Sequence, residues 1–288
     1  MPELPEVETV RSGLAKLLPG KVIKTVSFDW PKGFPNAKTD VDAFMVGAAV
    51  TTVRRRAKVL LIDLSTDYTL VCHLKMTGQY VYRGDEVFGA GHPNDSLIGD
   101  LPDKSTRIII MFADNTQLYF NDQRKFGWMR LMPTLQVPEL DFFKKVGPEP
   151  LADNFTDKMF IQRLQRRKNT SIKAALLDQT VIAGVGNIYA DESLWGAKIY
   201  PATKVIDVPS AKLKLLYTEL RYVLNLAIQK GGSTNKNYVN AEGKRGSYMD
   251  FARVFRREHL PCPRCGTDIE KSRVAGRGTH TCPQCQKP

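Results

Sequence analysis

Four cysteines near the end of the chain constrain its fold more than any other feature. They form the pattern Cys262-x2-Cys265-x16-Cys282-x2-Cys285, in which each pair offers two thiolates to the same metal ion. The 16-residue interval suits a β-hairpin between the two pairs. Because four thiolates complete a tetrahedron and leave no open position, the pattern predicts one structural zinc ion. An iron–sulfur site or a chance array is the alternative.

The charge of the chain indicates a polyanionic partner. The 288 residues carry a net charge of +12, and residues 243–288 hold half of that excess, with ten Lys and Arg against four Asp and Glu. Nucleic acid is the leading partner, and a solvated basic surface without function is the alternative. The acidic residues Glu3, Glu6 and Glu8 do not fit a signal peptide, and no run is long enough to span a bilayer. We therefore expect a soluble protein of the cytoplasm.

The periodicity of apolar residues predicts an α+β protein. A helix is expected over residues 5–18, and short apolar or alternating runs up to about Met132 predict a β-sandwich or barrel. Pro133–Pro150 contains four prolines and is predicted to be a linker. A mobile polar loop is expected at Ser233–Ser247. Helices are predicted between linker and loop, at Lys158–Gln165, Ser171–Leu177, Ile188–Trp195 and Ala211–Lys230.

The start of the chain offers a nucleophile. Once the initiator methionine is removed, Pro2 carries a free secondary amine with the carboxylate of Glu3 beside it. An α-amino group has a pKa near ~8, against ~10.4 for lysine, so part of it is unprotonated at neutral pH. A neutral amine attacks carbon electrophiles and forms Schiff bases. The alternative is that Pro2 is an ordinary residue before a helix.

Two internal motifs are ambiguous when each is taken alone. Within the run Thr180–Tyr189, Ala183–Asn187 predicts a tight glycine turn that enters a helix, where free N–H groups bind anions, although a plain turn fits as well. In the second motif, Arg124 and Phe126 alternate onto one face and suit a duplex from which a base has been removed, whereas core packing of Phe126 is the alternative. Basic residues near the first motif favour a phosphate-binding helical unit: Arg163, Arg166, Arg167, Lys168 and Lys173.

Six motifs occur together in the order of one family. They are Met1–Thr9, Arg55-Arg56-Ala57-Lys58, His73-Leu74-x-Met76, Arg124-x-Phe126-Gly127, Gly184–Ala190 and the four cysteines. The chain resembles bacterial formamidopyrimidine-DNA glycosylase over its whole length. Leu4 in the first motif is similar to that enzyme rather than to its endonuclease VIII relatives.

The resemblance implies a particular domain order. An N-terminal helix with a β-sandwich is expected in residues 1–132, followed by the linker at 133–150. A helix–two-turns–helix DNA-binding domain is expected in 151–232 and a mobile lesion-recognition loop in 233–248. A zinc-finger β-hairpin is expected in 249–288.

The resemblance also implies an activity. It is the excision of oxidised purines, chiefly 8-oxoguanine and formamidopyrimidines, from duplex DNA by a monomeric glycosylase with lyase activity at abasic sites. Pro2 would attack the sugar C1′, Glu3 would act as general acid or base, and Glu6 would support them. Lys58 would assist β-elimination and Arg277 δ-elimination.

DNA contacts carry over from the same family. His73, Lys168, Asn169 and Asn187 would hold the backbone, while Met76, Arg124 and Phe126 would fill the gap left by the flipped nucleotide. Taken alone, His73 is better interpreted as a structural residue, and Met76 is better interpreted as a residue that fills the core. The chain departs from the family pattern at three positions: Ser105 replaces a common histidine and is a possible DNA contact, Asn169 replaces a lysine for which Lys168 substitutes, and Lys75 replaces a frequent glycine.

Two other functions fit the same fold. A damaged-DNA binding protein would keep the zinc finger and lose the chemistry, but the set Pro2, Glu3, Lys58 and Arg277 is intact. A glycosylase for pyrimidine lesions would differ from the glycosylase for oxidised purines only in its substrate.

Overall fold

The computed structural model describes residues 2–92, 94–233 and 247–288, and these form two compact units. The first unit is drawn from Met1–Lys144 and the described part of Lys230–Ser247, and the second from Lys145–Gln229 and Tyr248–Pro288. The predicted lesion-recognition loop at 233–248 lies almost wholly outside the described residues. Within the described ranges, no helix combines the length and apolar character that crossing a bilayer requires.

The first unit begins with the predicted helix, α1 (Leu4–Leu17). Its start is fixed by a reciprocal cap, in which the backbone N–H of Glu3 donates to the Glu6 carboxylate at 2.8 Å and the Glu3 side chain accepts from the backbone of Glu6. The apolar stripe predicted from the spacing is buried, as shown by Val7, Val10 and Leu14.

Nine strands and a short helix follow α1. In chain order they are β1 (Ile23–Phe28), α2 (Lys38–Phe44), β2 (Val50–Arg56), β3 (Val59–Leu64), β4 (Tyr68–His73), β5 (Gly78–Arg83), β6 (Val87–Gly91), β7 (Thr106–Phe112), β8 (Gln117–Asp122) and β9 (Trp128–Pro133).

The strands form two antiparallel sheets that confirm the predicted sandwich. One sheet has the order β1-β7-β8-β5-β6 and the other β2-β3-β4-β9. Inward residues of both sheets share one apolar core with the stripe of α1. Packing is close where Phe88 of β6 meets Gly13 of α1, because a Cβ on Gly13 would lie 2.1 Å from the phenyl ring. The sequence did not predict β2, β5 or β6, since arginines and glycines break their apolar patterns.

The proline-rich segment after β9 covers the outer face of the smaller sheet. Val137 packs on Val59, Leu61 and Val71, and partly buried aromatic side chains extend this cluster. The strand β3 is consequently buried on both faces. The segment includes the short helix α3 (Asp141–Lys145), and its residues up to Lys144 belong to the unit of the sandwich that it was predicted only to follow.

The second unit contains the predicted helices and a zinc hairpin, which we define as residues 262–285. The helices are α4 (Asp157–Gln165), α5 (Ile172–Leu177), α6 (Asn187–Gly196) and α7 (Ser210–Gln229), and they share an apolar core. Two turns join α5 to α6, and the Gln179 side chain fixes them by bonding the backbone of Val185 and Gly184 at 2.8 and 2.9 Å. The hairpin strands are β10 (Glu270–Val274) and β11 (Arg277–Thr281).

Candidate functional site

Pro2 is buried, and it is followed in the chain by Glu3, the N-cap residue of α1, and by Glu6 in the first turn of that helix. Glu3 and Glu6 expose only 4% and 5% of their surfaces. The Glu6 carboxylate accepts from the Glu3 backbone and, with its other oxygen, from the backbone N–H of Ser233 at 2.7 Å. Gly232 has φ +87, and a Cβ there would lie 3.0 Å from the same oxygen. Glu6 therefore holds the backbone of Glu3 and of Ser233, and the Glu3 carboxylate directly follows Pro2 in the chain.

Lys58 lies at the tip of the β2–β3 hairpin and is 6% exposed. The hairpin closes through a two-residue turn, in which Ala57 adopts φ 54. Arg55 joins this turn to α1, because its guanidinium bonds Glu8 at 2.8 Å and the Ala57 carbonyl at 2.9 Å. A lysine is rarely buried to this degree unless it is paired. The helix that follows Pro2 and the turn that carries Lys58 are thus fixed to each other.

His73 ends β4 and is a neutral hydrogen-bond donor. Burial, together with the charges of Lys75 and Lys58, lowers the pKa of His73 to about 3. The ring Nδ1 accepts from the backbone N–H of Lys75 at 3.0 Å. The proton of the neutral ring is therefore on Nε2, which can donate to a phosphate oxygen.

Lys75, which replaces a frequent glycine, lies in the loop after His73. This residue adopts φ 50, in the left-handed region that favours glycine. Lysine at this position costs about 1 kcal/mol relative to glycine. The next residue, Met76, is 37% exposed, so it is not core filler.

Arg124 and Phe126 extend from the loop between β8 and β9. Phe126 is 54% exposed, which excludes the alternative of core packing. The Arg124 guanidinium carbon lies 4.8 Å from the centroid of the Phe126 ring. Lys125 between them adopts φ 57, so the chain turns and both side chains leave the sheet together. An exposed arginine–aromatic pair of this kind can enter a base stack.

Ser105 is placed differently from a DNA contact. It is 6% exposed, and its hydroxyl and backbone N–H both donate to the Asp103 carboxylate at 2.7 Å. Its carbonyl accepts from the backbone of Asp122 at 2.8 Å. The side chain that replaces the common histidine is therefore engaged in a local turn.

In the second unit, Lys168 and Asn169 are exposed in the turn that follows α4. Arg167 beside them is bonded to Asp178 at 2.8 Å. The prediction for Lys173 was wrong: its side chain is fully buried, with Nζ 2.6 Å from Asp191 and bonded to Thr279 at 2.7 Å. Its position inside α5 gave no sign of this partner.

Asn187 begins α6 and contacts the zinc hairpin. Its side-chain N–H donates to the Gly278 carbonyl at 3.0 Å, and Lys173 donates to the same carbonyl at 2.9 Å. The buried Oδ1 of Asn187 has no hydrogen-bond partner among the described residues. Because the N-cap residue is Gly186, no side chain blocks the first N–H groups of the helix. Arg277 is exposed one residue from Gly278, at the start of β11.

A chain of polar and charged side chains joins the hairpin to the helices. His280 of β11 lies 3.3 Å from the buried carboxylate of Asp191 through Nδ1. Its Nε2 lies 3.3 Å from Glu258, which also pairs with Lys271 at 2.9 Å. Together with Lys173, these residues join α5, α6 and both hairpin strands.

The four cysteines fit one zinc ion. Their sulfur atoms all lie within 4.8 Å of one another, and tetrahedral Zn–S bonds of about 2.3 Å place sulfurs about 3.8 Å apart. Cys262 Sγ accepts from the indole N–H of Trp195 and from the backbone N–H of Arg264, each at 3.4 Å. The backbone N–H of Cys285 donates to Cys282 Sγ at 3.4 Å. Such donors stabilise metal-bound thiolates, and the predicted structural zinc is confirmed.

Three groups of supporting residues were not predicted from the sequence. Asp122 and Thr77 connect the loops of Met76 and Arg124, Glu8 and Arg55 connect α1 to the Lys58 turn, and Trp195 bonds a zinc thiolate. Glu8 and Arg55 stand in motifs named above, and Asp122 ends an apolar strand immediately before the Arg124 motif, but no sequence pattern indicated their contacts.

Comparison with known proteins agrees with this geometry. Residues 1–129 match the formamidopyrimidine-DNA glycosylase N-terminal domain, 146–238 the H2TH domain of the same enzyme, and 260–288 the zinc finger found in FPG and IleRS. Curated proteins named formamidopyrimidine-DNA glycosylase are 42% identical in Latilactobacillus sakei, over 99% of this chain and 98% of the relative, and 41% in Enterococcus faecalis, over 100% and 98%.

Solved structures give the same result in three dimensions. The complex between Lactococcus lactis Fpg and DNA with an abasic site has a TM-score of 0.87 at 35% identity, covering 99% of this chain and 100% of that one. MutM in complex with DNA that contains carbocyclic 8-oxo-G has a TM-score of 0.85 at 34% identity, covering 100% of both chains. The matched domains and the full-length relatives agree with the fold and with the tetracysteine hairpin. This chain belongs to the formamidopyrimidine-DNA glycosylase family.

Proposed function

We propose that this DNA glycosylase removes oxidised purines from duplex DNA and then cleaves the strand, with Pro2 as the nucleophile. The observation that carries the proposal is the buried start of α1, where Pro2 precedes the carboxylates of Glu3 and Glu6. Removal of Met1 is part of the proposal, since only then is the amine on Pro2. Glu3 moves protons at the sugar, and Glu6 holds the backbone.

The chemistry follows from an amine that attacks C1′. A bond forms between the Pro2 nitrogen and C1′, the glycosidic bond breaks, and its electron pair leaves with the base, which takes up a proton. The Pro2 nitrogen then loses its proton, its lone pair forms a double bond to C1′, and the C1′–O4′ bond breaks as O4′ takes up a proton and the sugar ring opens. The resulting iminium withdraws electrons from C2′, so loss of a C2′ proton expels the 3′ phosphate. Loss of the 5′ phosphate follows by δ-elimination. Lys58 assists the first elimination and Arg277 the second, each as a cation beside a phosphate.

Access to the base requires extrusion from the duplex. Unstacking one nucleotide costs a few kcal/mol, and side chains that fill the gap offset part of this cost. Met76, Arg124 and Phe126 have the exposure that gap filling needs. The two adjacent N–H groups of the Arg124 guanidinium match the adjacent acceptors O2 and N3 of an orphaned cytosine. Lys168, Asn169 and Asn187 hold the DNA backbone.

The proposal extends to the organisation of the protein. The functional regions are 1–132, 133–150, 151–232, 233–248 and 249–288, and the chain acts as a monomer, because one copy supplies all the groups named above. It works in the bacterial cytoplasm on nucleoid DNA, as expected for a basic chain whose substrate is the chromosome.

The experiment that tests this function uses a 5′-labelled duplex with 8-oxoguanine opposite cytosine. We expect loss of the base and a one-nucleoside gap with phosphate at both ends. A duplex with thymine glycol should be cleaved at least about 10-fold more slowly, as the proposed preference for oxidised purines requires. Faster cleavage of thymine glycol would favour the pyrimidine-lesion enzyme, and binding without cleavage would favour a non-catalytic reader of damage.

The protonation of His73 gives a prediction about salt dependence. With its pKa at about 3, His73 is neutral from pH 5 to 8, so His73→Gln removes a donor but no charge. We expect weaker DNA binding with an unchanged slope of log K against log salt. Lys168→Gln should instead lower that slope by about 0.9, the value for one phosphate contact. Fluorescence anisotropy titrations at four salt concentrations measure both, and a reduced slope for His73→Gln would contradict the neutral assignment.

A further inference from the structure

Two loops of the first unit carry the exposed side chains assigned to gap filling. Met76 lies between β4 and β5, and Arg124 and Phe126 lie between β8 and β9. Exposed side chains can enter a base stack together only if the backbones that carry them keep a fixed separation. The residues that set this separation lie beneath the loops.

One buried carboxylate, that of Asp122, contacts both loops. It is 0% exposed, and its Oδ1 accepts from the hydroxyl of Thr77, the residue after Met76. The same oxygen accepts from the backbone N–H of Arg124 at 3.2 Å, and Oδ2 accepts from the backbone N–H of Gly127 at 2.6 Å. The second loop is therefore bonded on both sides of Phe126.

Thr77 completes the connection. Its hydroxyl donates to Asp122 and accepts from the backbone N–H of Arg124 at 3.0 Å. Arg107 and Ser105 hold the backbone of Asp122 in turn, through bonds of 3.0 and 2.8 Å. Both carboxylate oxygens face only donors among these contacts, so a carboxylate fits here and an amide does not, because an amide presents N–H groups to one set of donors.

We infer that Asp122 is a positioning residue for lesion excision, which sets the spacing of Met76 against Arg124 and Phe126 and thereby the preference for the opposite base. The inference rests on the proposed function. Only cytosine offers two adjacent acceptors on its pairing edge, whereas adenine offers an acceptor and a donor. Arg124 distinguishes them only while its backbone is held in place, so release of the loop should weaken the preference for cytosine.

The test compares three reactions of each variant under single-turnover conditions. They are excision of 8-oxoguanine opposite cytosine, excision opposite adenine, and cleavage of a single-stranded oligonucleotide with an abasic site, which has no stack to fill. For Asp122→Asn we expect about a 30-fold slower reaction opposite cytosine and about a 5-fold lower cytosine-to-adenine ratio, the scale of a reacting geometry displaced by less than 1 Å. Cleavage of the single strand should stay within about 2-fold.

A milder variant covers the case in which Asp122→Asn folds poorly. Thr77→Val keeps the shape of the side chain and removes the hydroxyl, and we expect the same pattern at about 5-fold for the rate opposite cytosine. The matched controls are Asp63→Asn and Thr69→Val, another buried Asp–Thr pair of the sandwich bonded at 2.6 Å. Those residues contact neither loop, so the cytosine-to-adenine ratio should equal that of the unchanged protein.

The outcomes separate this inference from the function on which it rests. An unchanged ratio in both Asp122→Asn and Thr77→Val overturns the positioning role. Equal losses in all three reactions overturn it as well, because they indicate general unfolding. An unchanged protein that excises no 8-oxoguanine overturns the proposed function itself, and the inference falls with it.

Discussion

A Pro2→Gly variant is expected to lose about 10³-fold in the rate at which borohydride traps it on DNA that contains 8-oxoguanine. Glycine keeps an N-terminal amine, so the loss isolates what the proline ring contributes. A secondary amine forms an iminium that has no proton to lose and stays cationic at every pH. A primary amine forms an imine that is neutral unless protonated, and a neutral imine withdraws electrons poorly. Proline also fixes φ near −65°, which aims the nitrogen, and lost aim alone costs on the order of 10²-fold.

The measurement reduces the iminium carbon with borohydride and quantifies the covalent complex on a denaturing gel. Pro5→Ala is the matched control, because Pro5 lies in the first turn of the same helix and carries no amine. Its trapping rate should stay within about 3-fold of the unchanged protein, since proline in a first turn contributes little beyond its fixed φ. Mass spectrometry of the digested adduct should place the sugar on residue 2. A cross-link to Lys58 or another lysine would refute Pro2 as the nucleophile.

The sequence predicted those parts of the fold that local patterns determine. The spacing of Val7, Val10 and Leu14 predicted both α1 and its buried face. The interval between cysteine pairs predicted the zinc hairpin, which closes at Ala275-Gly276, where both residues have positive φ and form the tight turn typical of two-residue hairpins. Such features depend on neighbours in the chain, and a single sequence contains them.

Features that depend on distant partners were not predictable in the same way. Lysine is a residue type that commonly contacts phosphate, but the side chain of Lys173 is buried and bonded to Asp191 and Thr279, which lie far away in the chain. Phe126 is an apolar residue of a type usually found in the core, yet the turn at Lys125 directs its side chain toward solvent. In both cases the side-chain type was compatible with two environments, and the fold decided between them.

The residues around the candidate site show the same limit. Pro2, Glu3 and the cysteines were predicted because their chemistry is visible in the side chains themselves. Asp122 accepts hydrogen bonds from backbone N–H groups, and Glu8 accepts one from the side chain of Arg55. A carboxylate in a strand or helix does not show in the sequence that it makes such contacts. Positioning residues are therefore what a structure adds to a sequence of this kind.

A Cys262→Ser variant is expected to release its zinc and to bind duplex DNA about 10²-fold more weakly while keeping its helices. Among the described residues, the apolar cluster at the hairpin is small, and it consists of Ile269 and two of the cysteines packed with Trp195 of α6 and Val254. A region this small cannot fold on burial alone, so metal binding supplies most of its folding free energy. The four helices share a separate and larger core, which does not need the metal.

Elemental analysis and far-UV circular dichroism measure the two parts independently. We expect no bound zinc and nearly unchanged helical signal, and a chelator should produce the same state in the unchanged protein. Cys72→Ala is the control, because Cys72 is buried in the sandwich and burial raises the pKa of its thiol to about 12. That variant should keep one zinc per chain. One equivalent of zinc in Cys262→Ser would contradict the four-cysteine assignment.

The Trp195→Phe variant separates the role of a residue that bonds a zinc ligand from the role of the ligand itself. The indole N–H donates to Cys262 Sγ, and the ring is held between Arg264 and Arg253, whose guanidinium carbons lie 3.9 and 4.8 Å from its centroid. Phenylalanine keeps the stacking and removes the N–H, so zinc should remain bound but leave about 10-fold faster to a chelator. DNA affinity should then be retained at saturating zinc, because Asn187 and Lys173 still find the Gly278 carbonyl where the folded hairpin holds it. Weak DNA binding at saturating zinc would show that Trp195 acts on DNA by a route other than the metal.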